Sequence, residues 1–316
     1  MLAKAQVRSW RNALHDGQVY EIATRIRVGF PISCMEAAQR VSENYDAGVF
    51  GSRIFAERTA FIAGGTSGIN LGIARGLAAC GARVAVLGRD LSKAQRAASE
   101  LSQLGPPALA LAADVRDFPA LDEAVGIAAA KLGPLDFVIA GAAGNFIAPA
   151  QQLSANGFKA VVDIDLAGTF HTFRAAYSRL RRPGASLIAV SSGQAMRPIW
   201  GQAHASAAKA GIESLIRTLA LEWGAEGIRV NSLCPGPIAD TEGVNRLISD
   251  EQAKRISARI PARRFGQRNE IANAAIFLLS SASSYVTGST LMCDGGLILS
   301  PYNGQPDCMG PKMRGA

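Results

Sequence analysis

The chain has no cysteine pair at metal-binding spacing. Its five cysteines (Cys34, Cys80, Cys234, Cys293, Cys308) are odd in number and irregularly placed. That excludes a zinc ribbon and a disulfide framework and points to reduced thiols in a cytoplasmic setting. No metal set is expected. No run reaches the ~20 uninterrupted apolar residues of a membrane span, so no membrane partner is expected. Aromatic residues make up only 6% of the 316, whereas glycine, at 33, is abundant. Such a composition suits tight turns and close helix–sheet packing.

A net charge of +8 raises the question of nucleic acid, but its distribution argues against that partner. Residues 1–50 hold six basic and five acidic side chains and contribute almost nothing. Between 246 and 268 there are seven basic residues (Arg246, Lys254, Arg255, Arg259, Arg263, Arg264, Arg268) against Asp250 and Glu251. A patch of that size would attract a phosphorylated small molecule or simply form a solvated face.

Residues 1–50 form an N-terminal extension of unclear role. Asp16, Glu21, Glu36 and Glu43 make it too acidic for a transit peptide. Residues 301–316 form an irregular tail whose Arg-Gly-Ala ending is not a peroxisomal address. From 51 to 300, apolar strand-like runs (Thr59–Ala63, Arg83–Leu87, Ala108–Ala112, Phe137–Ala140, Ser186–Val190, Arg229–Leu233, Thr290–Cys293) alternate with helical stretches. Two of these stretches are long, Gly157–Leu180 and Ala205–Glu222. The alternation predicts an α/β fold, a single doubly wound Rossmann-type domain whose parallel sheet is covered on both faces.

Phe61-Ile62-Ala63-Gly64-Gly65-Thr66-Ser67-Gly68-Ile69-Asn70 runs from the first strand into a helix. Glycines there let backbone N–H groups approach a pyrophosphate at the helix N-terminus, so Gly64, Thr66, Ser67, Gly68 and Ile69 are candidate dinucleotide ligands. The second strand ends Gly88-Arg89, with no acid at 88 to bind a ribose 2′-hydroxyl and a cation beside it. That favours NADP over NAD, with Asp90 better explained as a helix cap.

Ser191-Ser192 and His204-Ala205-Ser206-Ala207-Ala208-Lys209 complete a set that resembles the short-chain dehydrogenase/reductase family. That family has a catalytic Tyr four residues before the Lys and thirteen after the Ser, but here the Tyr position is Ala205. The third glycine of its phosphate loop is Asn70. The first two residues of its Asn-Asn-Ala-Gly segment are Ala140 and Gly141. The resemblance implies that Asp114 and Val115 contact adenine, and that Ala142, Pro235, Gly236, Ile238 and Lys209 lie along the cofactor. Asp114 could equally be a turn residue.

Reducing a ketone needs a hydroxyl acid that Ala205 cannot supply, while hydride addition to a conjugated thioester needs only enolate donors and a proton from elsewhere. Asn145-Phe146, Asp163-Ile164-Asp165, His204-Ala205, Glu222-Trp223-Gly224 and Thr241-Glu242-Gly243 resemble the peroxisomal-type 2,4-dienoyl-CoA reductases and their bacterial relatives. That resemblance implies NADPH-dependent reduction of 2,4-dienoyl-CoA to 3-enoyl-CoA in unsaturated fatty-acid oxidation. By position it carries over Lys209 and Asp165 as a proton route with water, although Asp165 could equally be a salt-bridge partner only, and Ser191, Ser192 and Asn145 as donors. It also implies an acyl-CoA partner, cations in 238–264 near coenzyme A phosphates, and a homo-oligomer, a tetramer. Two alternatives stay open: another short-chain oxidoreductase acting on a ketone or alcohol, and a catalytically silent dinucleotide-binding sensor or partner subunit.

Overall fold

A computed structural model describes residues 50–51, 53–239, 241 and 249–300. The expectations for 1–49, for 301–316, and for Arg246, Glu242 and Gly243 therefore lie outside the described residues. Seven strands form one parallel sheet: β1 (Thr59–Ala63), β2 (Arg83–Gly88), β3 (Leu109–Ala112), β4 (Phe137–Ala140), β5 (Ser186–Val190), β6 (Arg229–Pro235) and β7 (Thr290–Cys293). Their spatial order is β3-β2-β1-β4-β5-β6-β7. The chain winds outward one way through β2 and β3, then crosses back to β4. The crevice between β1 and β4 is thus the switch point where open α/β sheets bind ligands.

Both sheet faces are covered, which is why the strands are mostly apolar, with Thr59, Ser186, Asn231 and Ser232 the polar side chains buried among them. Phe61, Val138, Leu187 and Val230 face a layer carrying Leu121 and Val125 of α3 (Phe118–Leu132), together with Phe173, Ile212 and Ile216. On the other face α1 (Gly68–Ala79) and α8 (Arg268–Leu279) pack together over buried Ile62, Val86, Ile139 and Ile188. Each large aliphatic or aromatic side chain buried this way contributes about 1.5–3 kcal/mol. Asp90 does cap α2 (Leu91–Leu101), accepting from the Lys93 amide at 3.1 Å.

The helix expected over Gly157–Leu180 runs unbroken from Ala155 to Tyr177 but is not α-helical throughout. It divides into α4 (Ala155–Val162), a π-helical turn at Asp163–Ala167, and α5 (Gly168–Tyr177). The wider turn carries Asp165, which is 1% exposed. A carboxylate buried so deeply requires polar partners, and they lie across the sheet edge. α6 (Ala203–Trp223) and α7 (Asp250–Arg259) complete the long helices of the described residues.

Candidate active site

Apart from Asp165 in the π turn and Lys209 on α6, the expected site residues lie at strand ends or on the segments that follow them, at the carboxyl edge of the sheet. After β1, Gly64 has φ +74° and its amide donates to Leu87 O at 2.9 Å. A Cβ on Gly64 would come within 2.8 Å of Ala142 N and Cα, so the turns after β1 and β4 touch backbone to backbone. Gly68, φ +58°, opens α1 with nothing within 4 Å of where its Cβ would point. Ser67 provides no side-chain cap there. An uncapped helix N-terminus facing open space is a cradle for an anion, and it fits a dinucleotide pyrophosphate.

At the second strand end, a Cβ on Gly88 would lie 2.8 Å from Thr66 Cγ2. Thr66 thus fills the volume an acidic side chain would need, and Arg89 beside it is exposed. Asp114 behaves as the turn residue allowed from sequence: it accepts from the Arg116 amide at 3.0 Å and grips the Arg116 guanidinium at 2.6 Å. That pairing holds its carboxyl below the ordinary range. Val115 is buried, its carbonyl 2.8 Å from His171 Nδ1. At the far side of the crevice, the Gly236 amide donates to Cys293 O at 3.0 Å, locking the Pro235-Gly236-Pro237 turn. Ile238, 2% exposed, bridges to Gly266.

The centre of the site is a buried ion pair. Lys209 Nζ, on α6, lies 3.1 Å from Asp165 Oδ2 and donates to Val190 O at 3.1 Å. Asp165 Oδ1 accepts the Gly144 amide at 2.7 Å. The carboxylate therefore joins the loop after β4, the π turn and α6 in one arrangement. Ala205, four residues before Lys209, is buried and offers only a methyl group. Neither described tyrosine substitutes for it. Tyr177 bonds Glu226 at 2.5 Å, and Tyr285 is fully exposed at the opposite sheet edge beside Pro183 and Thr287.

The two serines separate. Ser192 is half-buried and accepts the Gln194 amide at 3.3 Å, whereas Ser191 is buried against the Cys234 thiol, whose pKa burial pushes up to about 11. Asn145 donates to Gln202 Oε1 at 2.8 Å, which also accepts from Gln194 at 2.7 Å. Gln194 and Gln202 were not foreseen, and nothing in their spacing marked them. His204 is a packed residue: fully buried, edge-on to Phe146 at 4.3 Å between ring centroids. Burial lowers its pKa, against the opposing pull of the Gln202 backbone and the Asp165 charge.

Much of the basic patch is internally paired. Arg255 meets Glu251 at 2.5 Å, Arg264 forks onto Glu270 at 2.5 and 2.8 Å, and Arg263 bonds Ala258 O. Among the described residues, no three metal-ligating side chains come together and no helix is long and apolar enough to cross a membrane.

A family profile described as Enoyl-(Acyl carrier protein) reductase matches residues 63–298. The chain belongs to the short-chain dehydrogenase/reductase family. As a member it is an oxidoreductase of a family that binds a nicotinamide dinucleotide. It is 40% identical to the peroxisomal 2,4-dienoyl-CoA reductase [(3E)-enoyl-CoA-producing] of Saccharomyces cerevisiae, over 77% of this chain and 85% of the relative. A probable 2,4-dienoyl-CoA reductase [(2E)-enoyl-CoA-producing] of Bacillus subtilis is 38% identical over 78% of this chain and 98% of its own. Among solved structures, a short-chain dehydrogenase from Bacillus anthracis superposes with TM-score 0.69 at 36% identity, covering 78% of this chain and 98% of that one.

Proposed function

We propose that this oxidoreductase reduces conjugated acyl thioesters of the 2,4-dienoyl-CoA class to 3-enoyl-CoA, with NADPH. The carrying observation is the buried Lys209–Asp165 pair standing one turn from a helix start that has Ala205 where a phenol would be. The family relatives quoted above bear names of the same reaction class.

When bound, reduced dinucleotide supplies the hydride. The chain's own residues would do the rest. The turn from Gly64 to Ile69 and the α1 N-terminus would hold the pyrophosphate, and exposed Arg89, at a strand end that carries no acid, would meet the 2′-phosphate. Asn145, held by Gln202, and half-buried Ser192 are donors for the oxygen on which enolate charge develops. Lys209 fixes the nicotinamide ribose, and Asp165 orients a water that delivers the proton to carbon. Exposed Phe146, Met196, Ile199 and Trp200, on the loops after β4 and β5, offer apolar surface for an acyl chain. Exposed Phe158 on α4, Phe170 on α5 and Leu221 on α6 support a homo-oligomer.

Mixing the purified protein with NADPH and hexadienoyl-CoA and following absorbance loss at the reduced nicotinamide band tests the proposal. Turnover of the dienoyl thioester is expected. Turnover of ketones alone, or dinucleotide binding without any turnover, would reject it.

A further inference from the structure

Two residues that interrupt the family's glycine and asparagine patterns, Asn70 and Gly141, meet in space. Asn70 is the third residue of α1 and is 9% exposed. Its Nδ2 donates to Gly141 O at 2.7 Å and lies 3.3 Å from Gly64 O. One amide nitrogen therefore bridges the turn after β1 and the turn after β4. Those are the turns that form the floor of the dinucleotide crevice and touch there without intervening side chains. A Cβ on Gly141 would overlap the Asn70 amide. The two positions share one volume, which accommodates one side-chain amide.

We infer that Asn70 is a positioning residue for the dinucleotide, and that it acts jointly with Gly141. Asn70 sits in the first turn of α1, whose backbone N–H groups open onto the crevice. Its bond to Gly141 O fixes how far those N–H groups stand from Ala142. Without it, Gly141 O loses a buried donor and the two turns are free to separate. A pyrophosphate held by backbone amides on one side and bounded by β4 on the other is sensitive to that spacing. The shared volume adds a constraint: an asparagine delivered from 141 should serve only when 70 is emptied.

The inference rests on the family's dinucleotide binding and not on the dienoyl substrate, so its test needs no acyl thioester. Dissociation constants for NADPH and NADH are measured by fluorescence titration of the apo protein, together with its melting temperature. The readout is the ratio of variant to native constant for whichever dinucleotide the native protein binds. Asn70→Gly is expected to weaken binding on the order of tenfold, a loss of one buried donor. Gly141→Asn alone should weaken it more, and the double exchange Asn70→Gly with Gly141→Asn should return to within about threefold of native. Asn70→Leu keeps the volume without a charge and removes the donor, so it should bind as poorly as Asn70→Gly; it decides the matter if Gly141→Asn does not fold. Native-strength binding by Asn70→Gly and Asn70→Leu, with only the melting temperature lowered, would overturn the inference. So would a double exchange no better than Gly141→Asn.

Discussion

Lys209 Nζ and Asp165 Oδ2 lie 3.1 Å apart, with the side chains 10% and 2% exposed. A pair buried to that degree is not a surface ornament. Removing one partner strands a charge, at a cost of about 3–5 kcal/mol. Asp165 also accepts the Gly144 amide, so it connects the ammonium to the backbone that borders the crevice.

Asp165→Asn keeps the shape and one acceptor but loses the negative charge. Its expected effect is a fall in kcat of about a hundredfold, the scale of a lost proton-transfer group. The KM for NADPH should change little, and steady-state kinetics would show the split. Asp165→Asn and Asp165→Ala both leave Lys209 buried without its counter-charge, so both should lower the melting temperature by several degrees, Asp165→Ala the more.

Arg89 is exposed and stands beside a position closed to acids by Thr66. Arg89→Ala should weaken NADPH at least tenfold and NADH by less than twofold, since only the former carries a 2′-phosphate. Parallel titrations with the two dinucleotides give the comparison; equal losses would remove Arg89 from cofactor selection.

Ala205→Tyr restores a phenol one turn before Lys209. If the proton reaches carbon through Asp165 and water, dienoyl turnover should not rise. A large gain, measured with hexadienoyl-CoA, would count against that route.

His204 is fully buried and its pKa is lowered from 6.5 by desolvation. Below about pH 6.5 the unfolded chain takes up a proton that the folded chain resists, so stability falls as the pH drops through that value. Melting temperature measured from pH 7.5 down to 5.5 should decline, and His204→Phe should flatten this decline. A curve of unchanged slope in the variant would assign the acid sensitivity to other groups.

Part of the site was legible because its chemistry is local. Gly64 and Gly68 are read from the demands of a turn, Asp90 from capping, and the vacancy at Ala205 from its distance to Lys209. Other parts depend on residues far apart in the chain. Asn70 and Gly141 read separately as two unrelated departures, and only superposition of β1 and β4 shows that one side chain occupies the volume of both. Asp165 looked like a residue in mid-helix, since periodicity carries no signal for a π turn. Ser191 and Ser192 look equivalent in sequence; strand pleat turns one to the Cys234 thiol and leaves the other at the loop.

The sequence alone determined the alternation of apolar strands and helices, the glycine turn and the missing phenol. Each follows from backbone sterics or from the periodicity of burial over a few residues. Tertiary structure decided which residues share a space: Lys209 with Asp165, Asn70 with Gly141, and Thr66 in the volume a side chain at Gly88 would need. Those pairings arise from sheet order and helix crossing, in which residues dozens of positions apart are brought within hydrogen-bonding range.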